Sequence, residues 1–190
     1  MKLALAVSLA VITTAAARAD FILSPGEAKR QMTTRASIVR GALARKDLKT
    51  LARMVHPVKG LRFPGDNGES GPTFKQSQVP GLFTDAKKYD WGKDGESNTP
   101  ARQTFKERYK RIYGRDYQHP AETNYNTLKR RPLNYVTDLD KQFPGAVCVE
   151  FYVSGTEKYG GVDWSSLWLV FERYGDGWRL TAIRNDYQGV

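Results

Sequence analysis

Residues 164–183, Trp164-Ser-Ser-Leu-Trp-Leu-Val-Phe-Glu-Arg-Tyr-Gly-Asp-Gly-Trp-Arg-Leu-Thr-Ala-Ile183, decide the fold. An apolar, β-branched and aromatic run ends at Tyr174, Gly175-Asp176-Gly177 turns the chain, and a second such run follows from Trp178 to Asn185. That is the pattern of a β-hairpin. One element upstream, Ala146 to Val153 alternates in the same way, so three consecutive strands form an antiparallel meander. Weaker strand signals lie near Tyr125 and Tyr135. Successive side chains of a strand point to opposite faces. Val147, Val149 and Phe151 therefore face one way and Cys148, Glu150 and Tyr152 the other. Leu167, Leu169 and Phe171 share one face, and Trp168 and Val170 share the opposite one. Both faces are apolar in mid-strand, so helices are expected on one side and a loop, a ligand or a second copy of the chain on the other.

Toward the N-terminus the periodicity changes to that of helices. Ser24-Pro25-Gly26-Glu27 has the order of a capping box, and Met32, Ala36, Val39 and Leu43 recur at helical steps. Asp47 can cap a shorter helix containing Leu48, Leu51, Ala52 and Val55, which His56-Pro57 ends. Lys59 to Phe63 reads as a short strand, and residues 64–99 as an irregular stretch with one hairpin around Tyr89-Asp90-Trp91 and Asp94-Gly95. Thr99-Pro100 is expected to open another helix, with Phe105, Tyr109, Ile112 and Tyr113 on one face and Gly114 closing it. Helices first and antiparallel strands last give an α+β class.

The first 19 residues have the features of a secretory signal peptide: one early charge at Lys2, an apolar run from Leu3 to Ile12, and Ala17-Arg18-Ala19 as the cleavage site. The expected mature protein is residues 20–190, one domain, periplasmic or secreted, with no transmembrane segment. It would carry 28 basic and 20 acidic residues, a net charge of +8. Such a surface favours anionic partners: a small anion, an envelope polymer or an acidic envelope protein. The single cysteine, Cys148, forms no internal disulfide and reads as a buried strand residue.

With these landmarks placed, the chain resembles the NTF2-like (SnoaL-like, cystatin-like roll) superfamily over about residues 27–187. The hairpin at 164–183, with a polar glycine turn before a tryptophan, carries the likeness. The resemblance implies N-terminal helices packed on a strongly curved antiparallel sheet, with a pocket between them. A narrower resemblance is to a group of exported bacterial proteins of uncharacterised function. It rests on Leu51-Ala-Arg-Met-Val-His-Pro-Val-Lys-Gly-Leu-Arg-Phe63, Tyr89-Asp-Trp-Gly92, Phe143-Pro-Gly-Ala-Val147 and Asp163-Trp-Ser-Ser-Leu167. That group tends to close on a His-Asp pair, where this chain has Arg184-Asn185-Asp186.

Four polar residues are candidates for a pocket: His56, Arg62, Glu150 and Asp186. His56 ends a helix, where it can bond the exposed carbonyls or act as an acid or base. Glu150 sits among apolar strand residues. It needs a partner such as Arg62, Arg173 or Arg184 or exposure on the open sheet face, or else it is a pocket carboxylate with a raised pKa. Asp186 closes the last strand within expected reach of Arg62 or Lys59. Tyr109, Tyr113 and Trp168 are the candidate aromatic residues.

Phe105 to Tyr117 interleaves aromatic and basic residues, a pattern used to bind single-stranded nucleic acid or carbohydrate. Helical spacing explains it as aromatics inward and charges outward, and nucleic acid is disfavoured. Lys129-Arg130-Arg131 reads as a solvated basic loop. The two histidines each precede a proline, and there is no metal-ligand spacing, phosphate-binding loop or nucleophile elbow. No metal and no cofactor are expected. The chain therefore reads as a non-catalytic ligand- or partner-binding domain of the cell envelope. The alternative is a small acid/base enzyme of isomerase, dehydratase or hydrolase type, with its site in the cone of the sheet.

Overall fold

A computed structural model describes residues 23–65, 71–93, 99–135 and 137–188. The expected signal peptide and the Asp94-Gly95 turn lie outside them.

Helix α1 (Pro25–Ala44) starts where Ser24 accepts a hydrogen bond from the Glu27 amide. Helix α2 (Leu48–Met54) starts where Asp47 accepts one from the Thr50 amide at 2.9 Å. Side-chain caps satisfy amide groups that the helix itself leaves unpaired. Met32, Ala36, Val39, Leu43 and Leu51 are buried as their spacing requires.

The main sheet has six strands in the order β2-β1-β8-β7-β6-β5. These are β1 (Leu61–Arg62), β2 (Thr73–Phe74), β5 (Glu122–Tyr125), β6 (Val147–Val153), β7 (Ser165–Tyr174) and β8 (Gly177–Tyr187). The meander is β6-β7-β8, with Glu150, Trp168 and Arg184 in adjacent register. The sheet is mixed, not wholly antiparallel: β1 runs parallel to β8, with Arg62 beside Ala182. The chain leaves α2 already beside the last strand, where Val55 bridges Leu180 in parallel. Hairpin patterns report only strands that are neighbours in sequence, so they miss this pair.

The described residues between β1 and Phe105 are more ordered than their composition suggests. A 3-10 turn (Gln76–Gly81) buries Val79, and β3 (Tyr89–Lys93) pairs with β4 (Pro100–Gln103). Thr99-Pro100 opens no helix, because Pro100 begins β4. Helix α3 is Phe105–Ile112. Its N-cap is Thr104, which accepts from the Glu107 amide while Glu107 accepts from the Thr104 amide. The expected strand at Tyr135 is a 3-10 turn (Pro132–Asn134), followed by α4 (Leu139–Gln142).

The first face of the sheet meets α1, α2 and α3. Its core joins Val147, Val149, Phe151, Leu167, Leu169, Phe171 and Ile183 to the buried helix residues. Phe63, Phe74, Trp91 and Phe105 extend it, with ring centroids 5.6 to 6.5 Å apart in mostly edge-to-face contacts. The second face is not left open. Leu139, Phe143 and Ala146 cover Cys148, Trp168, Val170 and Ala182. No helix of the described residues is long and apolar enough to cross a membrane.

Candidate functional site

The sheet carries polar groups on both faces, and the two sets differ in construction. On the second face Glu150 is fully buried. Its Oε1 accepts from Arg131 Nε at 3.0 Å and from Ser166 Oγ at 2.6 Å. Its Oε2 accepts from Arg131 Nη2 and from Asn124 Nδ2, the latter at 2.9 Å. Arg131 also reaches Glu122 at 3.1 Å, which Lys129 joins at 3.0 Å. A buried charge is tolerable only when paired and hydrogen-bonded, and here every oxygen of Glu150 is engaged.

Beside it, Arg184 Nε donates to Asp186 Oδ1 at 2.6 Å, and the same guanidinium reaches Asp138 at 3.1 Å and the Tyr135 hydroxyl at 2.9 Å. Asp186 Oδ2 is buried and takes no hydrogen bond at good geometry. The Tyr135 hydroxyl is near enough to act on this carboxyl. Burial pushes the Asp186 carboxyl above its ordinary range, against the pull of Arg184.

On the first face, where α3 ends against the far ends of β7 and β8, there is a cleft of about 380 Å³. Lys110, Arg111, Gly114 and Arg115 form one wall, Tyr159 and Asp163 another, and Ser165, Asn185, Tyr187 and Gln188 the base. Gly114 is required where the chain turns off α3, since a Cβ there would collide with the Lys110 carbonyl oxygen. The loop carrying Tyr159 is closed by Asp163, whose Oδ1 accepts from the Thr156 amide at 2.6 Å. Arg115 ties that loop to the helix wall, donating to the Asp163 backbone carbonyl and lying 3.4 Å from its Oδ2. The Thr156 bonds and Arg115 hold the Asp163 carboxyl below its ordinary range.

The base is a neutral cluster. Asn185 Nδ2 donates to the Tyr117 hydroxyl at 2.6 Å, to Ser165 Oγ at 3.0 Å and to the Ser166 carbonyl at 3.2 Å. Tyr117 and Ser165 also bond one another. Burial pushes the Tyr117 phenol up to about 12, so it stays protonated at neutral pH. Among the described residues, three cations and one carboxylate thus line the cleft, beside hydroxyl and amide groups.

The four polar candidates do not converge on this cleft. His56 is buried in the turn after α2, where its Nδ1 accepts from the Val58 and Lys59 amides at 3.2 and 3.0 Å. Its ring therefore accepts from a turn and donates to no helix carbonyl there. Arg62 lies over the Phe143 ring at 5.9 Å. Glu150 and Asp186 share the second face, each with an arginine other than those expected. Arg131 comes from the run that reads as solvated, yet it is buried over the Tyr152 ring. Arg184 lies two residues from Asp186 on the same side of β8. Lys59 pairs with Glu172 at 2.8 Å.

Tyr109 is buried in the core and donates to the Leu43 carbonyl. Tyr113 stacks beside it and donates to the Arg40 carbonyl at 3.4 Å. Trp168 packs in the smaller core of the second face. Cys148 is buried and its thiol is pushed up by burial, which suits a strand residue and not a thiolate. Among the described residues no group of three or more His, Cys, Asp or Glu is placed to hold a metal.

The sequence did not single out Ser165 or Asn185. The available signal was parity. Ser165 shares the face of Leu167, and Asn185 pairs with Leu167 in β8, so both are polar residues at inward positions near strand ends. Comparison with known proteins finds no matching family model, no matching curated protein and no matching solved structure.

Proposed function

We propose that this chain is an exported, non-catalytic binding domain of the cell envelope that takes an anionic ligand in the cleft between α3 and the β7–β8 ends. In this reading the domain is an NTF2-like roll, whose strongly curved sheet opens at that end. The observation that carries it is the lining of the cleft. Among the described residues, Lys110, Arg111 and Arg115 line it with one carboxylate, Asp163, that Arg115 already engages. A volume of about 380 Å³ is within the range of small-molecule sites, about 300–1,000 Å³. The net charge of the expected mature chain draws anions toward it.

The test is isothermal titration of the purified protein with citrate, inorganic phosphate and a sugar acid at low and high salt. Saturable binding of an anion, weakened by salt and by Lys110→Ala, supports the reading. Absence of binding to every anion, or turnover of a small molecule, overturns it.

A second reading, a small acid/base enzyme, is favoured by Asp186. This carboxyl is buried and pushed up, with one oxygen lacking a well-formed hydrogen bond. That reading requires Asp186→Asn to abolish turnover of some substrate while leaving the fold intact.

A further inference from the structure

We infer that the ligand of the cleft is an acidic sugar, one or two rings bearing a carboxylate, with the cations taking the carboxylate and the Asn185 cluster taking the ring hydroxyls. The inference rests on the anion-binding reading above and names its ligand class. Four features of the lining separate this class from other anions.

The cleft is far larger than a bare phosphate or acetate requires. Its lining holds no Leu, Ile, Val, Met or Phe, so its apolar surface belongs to tyrosine rings and the stems of polar side chains, which suits a sugar ring better than an acyl chain. The base offers neutral groups, Ser165 Oγ and the Asn185 amide, held in place by the buried Tyr117 hydroxyl behind them. Asn185 commits its Nδ2 to three acceptors, while its Oδ1 accepts no hydrogen bond from the described residues and suits a hydroxyl donor. Finally, Tyr159 lines the cleft 41% exposed, with Lys158 Nζ 4.8 Å from its ring centroid, and offers an aromatic surface for the C–H face of a sugar ring.

The cations of the α3 side would take the carboxylate. Lys110 and Arg111 are adjacent on α3, and Arg111 lies over the Tyr187 ring at 4.6 Å, which restricts its guanidinium. The basic-aromatic stretch that suggested carbohydrate binding is thereby divided. Its tyrosines pack inward, Tyr117 fully buried behind Ser165 and Asn185, and Lys110, Arg111 and Arg115 line the cleft.

The test compares digalacturonate with the neutral disaccharide cellobiose, with citrate and with adenosine monophosphate, by calorimetry on the native protein and two variants. Digalacturonate should bind most tightly. Asn185→Ala should weaken digalacturonate about tenfold, the loss of one net hydrogen bond, and citrate about twofold or less. Lys110→Ala should weaken every anion about three- to tenfold. An ¹⁵N chemical-shift map with digalacturonate reads the site directly in the unaltered protein, independent of how the variants fold.

If citrate or adenosine monophosphate binds as tightly as digalacturonate, and Asn185→Ala affects all three alike, the sugar-acid inference fails and the anion reading stands. Equal binding of cellobiose and digalacturonate also overturns the inference. If no anion binds, the underlying reading fails with it.

Discussion

The second-face network and the first-face cleft are built from the same residue types, yet their charges are balanced differently. Around Glu150, each carboxylate oxygen meets a donor, and Arg131 is shared between Glu150 and Glu122. Around Asn185, cations outnumber carboxylates among the described residues and line a space open to solvent. Burial decides between the two outcomes. A charge sealed under the 126–146 segment must be paired, because desolvation otherwise costs several kcal/mol. A charge on the rim of a cleft keeps its water until a ligand replaces it. A buried, fully engaged ion pair therefore indicates architecture, whereas cationic excess over a neutral polar floor indicates binding.

The largest test of this contrast is Arg131→Ala. It leaves Glu150 buried without its cation and should destabilise the protein by about 3–5 kcal/mol in urea unfolding. The Arg131→Met/Glu150→Leu double variant should lose less than Arg131→Ala alone, since no orphaned charge remains. A double variant as unstable as the single one would show that Glu150 and Arg131 act separately.

Next in size is Thr104→Ala, which removes the side-chain acceptor of the α3 capping box and leaves the residue-104 amide to donate to Glu107. It should cost about 0.5–2 kcal/mol and loosen ligand binding, because α3 carries the cationic wall. Unchanged stability would show that the core alone fixes α3.

Acid titration separates two carboxyls within the second-face network. Hydrogen bonds from Asn124, Lys129 and Arg131 hold the Glu122 carboxyl down to about 2 from an ordinary value of 4.5. The folded carboxylate stays charged where the unfolded one takes up a proton. Its contribution is thus full above about pH 4.5 and lost as pH falls toward about 2. Asp186 has the opposite sign: its raised pKa favours the fold at low pH and opposes it as pH rises through that value. Glu122→Gln should flatten the acid limb of the stability curve, and Asp186→Asn should remove a loss of stability on its alkaline side. Identical pH profiles for wild type and Glu122→Gln would contradict the assignment.

The smallest expected change in stability comes from Lys110→Ala, within about 0.5 kcal/mol of wild type, as for other exposed positions. Its effect belongs to binding instead. A strong loss of stability would make the cleft wall part of the architecture and erase the distinction between the regions.

Much of the architecture was legible in the chain because it depends on local pattern. The α1 stripe, the Asp47 cap, the β6-β7-β8 meander and the face parity around Glu150 all follow from short-range spacing. What escaped depends on long-range pairing. Arg131 looks solvated until β5 places it over Glu150, 19 residues later. The β1–β8 contact joins residues distant in sequence, and no hairpin rule reaches it. Thr99-Pro100 carries a helix-start signal as strong as Thr104's, but Pro100 belongs to β4, paired near Lys93. The cleft was hidden for a different reason. Ser165 and Asn185 are ordinary strand residues until β7 and β8 bring them together beneath α3.

The most direct test is the ¹⁵N chemical-shift map of the unaltered protein titrated with digalacturonate. The account requires saturable shifts concentrated at Lys110–Arg115, Tyr159–Ser165 and Asn185–Gln188. Shifts concentrated instead at Arg131, Tyr135, Glu150 and Asp186, or no shifts at any concentration, would contradict it.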